Sequence, residues 1–166
     1  MRSLTELLSD FRQSRAAMET LANNLPRIIG VESVRAVRNN FKTESYFGGN
    51  KWVPRSDKTN KAYMAGRTSG KQGRYKGSVF SASKPLLRQT LNLYNSIKYR
   101  ALGKRVFIGT NLSLIPYANA HNEGLNHQPR RQFMPFGNQP VHPIILSAIG
   151  KKYTSERNKA LLKFKR

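Results

Sequence analysis

Cysteine is absent from the 166 residues, and acidic side chains are scarce, eight Asp+Glu against thirty Lys+Arg. Without cysteine there is neither a disulfide framework nor a thiolate metal site. Also absent is any apolar run of the roughly 20 residues that a membrane-spanning helix needs. The opening MRSLTELLSDFRQS has charges inside every hydrophobic stretch and lacks the apolar core of a secretory signal. These absences predict a chain that makes no membrane contact and stays in the cell that made it, or in a particle assembled there. A phosphate-cradling loop is missing too. GRTSGKQG holds Gly66, Gly70 and Lys71, but Gln72 stands where the G-x-x-x-x-G-K-[ST] pattern requires Ser or Thr.

What remains is dominated by charge. The formal net charge is +22 and the sequence pI is near 11.1. A field of that sign repels other copies, so the chain is expected to work against something acidic. Nucleic acid is one such partner, through phosphate contacts by Lys and Arg. An acidic protein ring is another, and charge does not choose between them. Hydrophobic residues make up only 38%, so part of the length is expected to lie outside the packed interior.

Length and pattern predict one domain over residues 1–166. Ser3 and Glu6 have capping-box spacing ahead of Leu4, Leu7, Leu8, Phe11, Met18, Leu21 and Leu25, which share one helical face. Pro26 is expected to kink or restart that helix, with Ile28, Val31, Val34, Val37 and Phe41 continuing the stripe. Both stretches read as core-facing helix. Residues 48–84 show no steady period and read as a long extended loop. It carries nine cations, Lys51, Arg55, Lys58, Lys61, Arg67, Lys71, Arg74, Lys76 and Lys84, against the single acid Asp57. Pro85 suits the first turn of a helix bearing Leu86, Leu87, Leu91, Tyr94 and Ile97. IKYRALGKRVFIGT reads as a hairpin turning at Gly103-Lys104. Pro116 opens a short helix that Gly124 is placed to cap, and QPRRQFMPFG reads as extended or edge strand. Ile144, Ile145, Ala148 and Ile149 begin a last helix that Gly150 interrupts. The basic end at 150–166 holds seven cations and one acid, Glu156. The fold expected from these elements is α+β, with N-terminal helices packed on a small antiparallel sheet and one long extended basic loop.

An enzymatic reading rests on His121, Glu123 and His127 in HNEGLNH. A helical metal pair takes ligands at i and i+4, whereas these histidines are six apart with Gly124 between them. The acids are scattered, with no pair set for acid/base work. No catalytic, metal or cofactor site is expected. The loop is the stronger signal, since Lys and Arg interleaved with Trp52, Tyr63 and Tyr75 suit phosphates and bases. The same aromatics also suit packing against a neighbouring subunit. In Pro129-Arg130-Arg131-Gln132-Phe133, adjacent arginines beside an aromatic fit a bidentate pair to a neighbour's carboxylate, or else a plain surface turn.

In order, the chain carries Trp52-Val53-Pro54 with Thr59 and Lys61, then Leu87, Thr90, Leu93, Ser96 and Ile97, then Ile108-Gly109-Thr110. Tyr117, Ala118, His121 and Gly124 follow, and then Pro129, Arg130, Arg131 and Phe133. This succession resembles the phage virion morphogenesis, or tail-completion, family of tailed phages. It departs from that pattern at Leu91, where the family has glycine, and at Met134-Pro135-Phe136-Gly137, which replaces a shorter Leu-Gly ending. The resemblance implies a non-enzymatic virion protein at the neck or head-proximal tail end, made in the host cytoplasm and joining tail to head. It implies a homo-oligomeric ring, often a hexamer, next to portal or connector and tail proteins, without a cofactor. Trp52, Tyr117, His121, Gly124, Pro129, Arg130, Arg131 and Phe133 are the assembly residues so implied. Within such a ring, Lys51, Arg55, Lys58, Lys61, Arg67, Lys71, Arg74 and Lys76 would face genomic DNA in the channel or acidic connector surfaces. The reading from another class is a free basic nucleic-acid-binding, architectural protein.

Overall fold

A computed structural model describes residues 3–57, 85–88, 91–135 and 139–162. The chain order is α1 (Leu4–Thr43), α2 (Asn92–Ser96), β1 (Lys98–Leu102), β2 (Arg105–Gly109), α3 (Ala118–Glu123) and α4 (Pro143–Leu162). The class is α+β, a long N-terminal helix packed on a two-stranded antiparallel sheet with further helices around it.

The capping box forms as the sequence predicts. Glu6 N–H donates to Ser3 Oγ at 3.2 Å, and Ser3 N–H donates to the Glu6 carboxylate at 2.8 Å. The restart expected at Pro26 does not occur, and α1 runs through it for 40 residues. Proline withdraws one donor, from the carbonyl of Ala22. Ala22 lies on the exposed side, where solvent can satisfy its carbonyl, while Ile28, Val37 and Phe41 downstream are buried. The core-facing expectation for the first half is also corrected. The first buried residue of α1 is Leu21, and Leu4, Leu7, Leu8 and Phe11 are 51–74% exposed.

Hairpin β1–β2 pairs Leu102 with Arg105 across a Gly103-Lys104 turn in which Gly103 has φ +55°. It lies against α1 where Gly30 meets Tyr99. A Cβ on Gly30 would stand 2.1–2.6 Å from three atoms of the Tyr99 ring. Gly30→Ala therefore sets about 1 kcal/mol of better helix propensity against an overpacking cost of about 1–3 kcal/mol or more. A net loss of about 1–2 kcal/mol is expected in denaturant melts. Tyr99→Ala in the same chain should remove most of the added loss, which a double-mutant cycle measures.

Ahead of β1, the long helix expected from Pro85 shrinks to a turn at 86–87 and the five-residue α2. Leu87 and Leu91 both have positive φ, +56° and +61°, which no helix tolerates in its interior. Leu93 and Ile97 still reach the core. Gly150 does not interrupt α4, because its position is open and costs only propensity. At its start, Pro143 takes the first helical position and the His142 ring stacks on Phe47 at 4.3 Å.

The core is centred on Phe41, which has no exposed surface. Trp52 and Tyr94 meet its ring edge-on at 5.5 and 5.8 Å, and Phe133 lies tilted at 5.1 Å. Val37, Leu86, Leu93, Ile97, Ile115 and Ile145 complete it.

Candidate functional site

The segment between Pro129 and Pro135 is irregular, and among the described residues it joins no sheet. Its backbone groups therefore need other partners, and four different places supply them. Arg131 N–H donates to the His121 carbonyl at 2.7 Å. The Asn122 Oδ1 accepts from Phe133 N–H at 2.9 Å and from Met134 N–H at 3.1 Å. Asn40 Nδ2 donates to the Phe133 carbonyl at 2.9 Å, and Trp52 Nε1 donates to the Gln132 carbonyl at 2.8 Å. The His121 carbonyl and the side chains of Asn122, Asn40 and Trp52 thus stand in for a strand ladder.

Arg131 completes this clasp from the other side. It is 6% exposed, with Nε donating to the Val53 carbonyl at 2.8 Å and Nη2 to the Pro54 carbonyl at 3.2 Å. The fork is engaged within the chain, as a tie on the residues that follow Trp52. Its planar pair of donors suits two successive carbonyls, which a lysine ammonium does not span. Trp52 and Phe133 are buried in the core and hold the clasp to Phe41. Arg130 donates to Gln132 Oε1 at 2.6 Å. Gly124 ends α3 with φ +80°, and a Cβ there would press on Arg130 at 3.0–3.3 Å. Tyr117 is 41% exposed and presents its ring edgewise to His121.

His121 is held unusually acidic. Burial first, and the Arg131 guanidinium second, lower its pKa to about 4. Its Nδ1 is buried without a hydrogen bond among the described residues. At neutral pH the ring is uncharged in both folded and unfolded chains. Between about pH 6.5 and 4 the unfolded state binds the proton and the folded state does not, so stability falls with pH across that window. Allowing for solvent screening, about 1–2 kcal/mol should be lost to this group. Comparing melts at pH 7 and 4.5 for the wild type and His121→Gln isolates it, since the variant lacks this share of the acid loss.

Of the cations expected to meet DNA or an acidic partner, Lys51 and Arg55 are described, and both bond within the chain. Lys51 Nζ donates to the Thr43 carbonyl at the end of α1, at 2.6 Å, and Arg55 Nη2 to the Pro85 carbonyl at 3.0 Å. The second bond joins residues 30 apart in sequence, Arg55 and Pro85. Lys58, Lys61, Arg67, Lys71, Arg74 and Lys76, with Tyr63 and Tyr75, lie outside the described residues, as do Phe136 and Gly137. Among the described residues no three His, Asp or Glu side chains gather as a metal site, and no helix is long and apolar enough to cross a membrane.

Sequence reasoning passed over three features. Asn40 and Asn122 are buried and carry the clasp. The only available signal was that Asn40 interrupts an apolar stripe between Val37 and Phe41. The third is a groove of about 1010 Å³ between α1, β1 and α4. Arg35, Arg38, Lys42 and Lys98 line it with Glu32, whose carboxylate is already paired with Arg35 at 2.8 Å. Arg38 is anchored there, donating to the Ile97 carbonyl at 3.1 Å with its guanidinium 5.1 Å from the Tyr94 ring centre. Comparison of the chain with protein-family models, with curated proteins and with solved structures finds no match.

Proposed function

We propose that this chain is a structural virion protein of the tail-completion type, a ring subunit that finishes the tail end or neck and joins tail to head. The observation carrying this reading is the clasp. Trp52, His121, Gly124, Arg131 and Phe133, drawn from three separated parts of the family-like pattern, join in one hydrogen-bonded and packed unit. A chance match of short motifs would not require its pieces to meet in space. Leu91 adds to it, because the position where the pattern has glycine adopts φ +61° here, the backbone region that favours glycine.

That coincidence has a measurable consequence. Leu91 is 40% exposed. Leu91→Gly relieves a left-handed conformation costing about 1–2 kcal/mol and gives up part of one side chain's burial. A small net gain in stability, of about 0.5 kcal/mol, is expected in urea melts.

In this role the neighbours are further copies in a ring, taken as a hexamer, and acidic portal, connector or tail surfaces. The clasp fixes Val53 and Pro54, just ahead of the basic stretch proposed to meet channel DNA or a connector. The protein works in the virion after assembly in the host cytoplasm, with no cofactor and no catalysis. Quantitative mass spectrometry of purified virions tests the reading. A copy number matching one or two rings per particle is the expected result, and absence from complete particles overturns it. The charge of +22 and the groove cations Arg38, Lys42 and Lys98 favour a second reading, a free nucleic-acid-binding protein. Its mark is DNA affinity falling with salt by about one log unit per log of salt for each phosphate neutralised.

A further inference from the structure

We propose that the outer face of the β1–β2 hairpin binds single-stranded nucleic acid, stacking an unpaired base on Phe107 among flanking cations. The register sets Lys98, Arg100 and Leu102 opposite Gly109, Phe107 and Arg105, so these six positions share one face. The five side chains on it are exposed, while Tyr99, Val106 and Ile108 on the other face are half-buried, Tyr99 against Gly30. The site is the same whether the chain sits in a ring or acts alone, so it does not rest on the virion role.

The cations of this face have no acidic partner in the chain. All eight acidic side chains lie among the described residues. None of them is ion-paired with Lys98, Arg100 or Arg105, or with Lys104 at the turn. The stretches outside the described residues hold no Asp or Glu, so they bring no carboxylate side chain to the hairpin. Lys98 also lines the groove, where Arg38 and Lys42 continue the positive surface onto α1. Like charges gathered this closely repel one another, and a polyanion relieves that repulsion.

Charge suits any polyanion, and the residues between the cations narrow the choice. Phe107 is 54% exposed in the middle of the face, directly across from Arg100 and diagonal to Lys98 and Leu102. Beside it, on the same strand and face, is Gly109. A Cβ there would meet nothing within 4 Å, and its φ is not positive, so neither packing nor conformation calls for glycine. Glycine inside a strand weakens it and often marks a place where a ligand approaches closely. The gap at Gly109 gives a flat ring access to Phe107 from the side that Lys98 flanks. An unpaired strand offers such a ring with phosphates next to it, whereas a duplex keeps its base faces stacked inside. Acidic side chains of a protein partner would satisfy the cations alone.

Fluorescence anisotropy with the full-length chain tests this, using a labelled mixed-sequence single strand, its duplex and an abasic strand of the same length. Circular dichroism melts confirm that each variant is folded. Phe107→Ala should weaken single-strand binding by about 10-fold and leave duplex and abasic binding unchanged, because only the single strand presents an unpaired base. Gly109→Val fills the gap with a strand-favouring side chain. It should melt no lower than the wild type and yet lose single-strand affinity to a similar extent. Arg100→Gln with Arg105→Gln should reduce the slope of log affinity against log salt by roughly 0.7 for each cation removed. Unchanged single-strand binding by Phe107→Ala and Gly109→Val overturns the proposal and moves the contact to other cations of the chain. Equal losses for all three oligonucleotides overturn it too, since no base is then read. A Phe107→Ala chain that binds the single strand normally but loses a poly-glutamate peptide makes the face a protein contact, the third overturning result. The virion copy number is measured separately, so the hairpin site and the virion role fail independently.

Discussion

Replacing Asn40 by alanine is expected to lower stability by about 2–5 kcal/mol, a large share of what a domain of this size has. The side chain is 1% exposed and serves two buried backbone groups at once, accepting from Phe47 N–H at 2.9 Å and donating to the Phe133 carbonyl at 2.9 Å. Alanine leaves both without a partner, each at about 1–3 kcal/mol. Leucine has nearly the shape of asparagine but would strand the same two groups, so it should rescue little. Asn40→Asp separates the halves of the interaction. Its carboxylate still accepts from Phe47 but faces the Phe133 carbonyl with a second acceptor. Protonation restores a donor, so the deficit of this variant should narrow as pH falls. Urea melts of the three variants at pH 7 and 4.5 check both statements. An Asn40→Ala loss below about 1 kcal/mol would mean that solvent reaches groups which the packing places inside.

Arg131→Ala should cost about 2–4 kcal/mol, because two charge-assisted bonds to carbonyls are lost from a side chain that is 6% exposed. Arg131→Lys is the sharper experiment. Charge and most of the aliphatic stem survive, but a single ammonium cannot give separate donors to the Val53 and Pro54 carbonyls. It should recover less than half of the loss. The damage should also be local. Amide hydrogen exchange at Trp52, Val53 and Arg55 should accelerate by about 10–100-fold, while exchange in the core part of α1 changes little. Equal acceleration everywhere would mean that Arg131 acts on global stability and does not specifically hold the start of the loop. Under the proposed function the lysine variant should enter virions poorly even where it is folded.

The features that sequence alone determined are local ones. The Ser3–Glu6 capping box, the turn at Gly103-Lys104 and the left-handed cap at Gly124 each depend on a few neighbouring residues. Their geometry is fixed by sterics and hydrogen bonds that operate in any context. Helical periodicity located α1 and α4 but not what covers them. The same spacing that buries Ile28, Val37 and Phe41 leaves Leu4, Leu7, Leu8 and Phe11 in solvent, because period identifies a face and not its neighbour. Pro26 and Gly150 look like breaks in sequence. Whether a helix survives them depends on which side is exposed and what the far end buries. Leu87 and Leu91 fit a helical stripe, yet tertiary ties such as Leu86 N–H to Glu44 Oε1 at 2.5 Å accompany a different backbone. The clasp was the least legible part. Arg130 and Arg131 look identical in sequence, but only one is buried against carbonyls far from it in the chain. Asn40 and Asn122 look like ordinary polar residues until the fold leaves the 131–134 backbone without a strand partner. Long-range contacts decided these roles, because the free energy of a buried polar group depends on the group opposite it, and sequence order does not specify that neighbour.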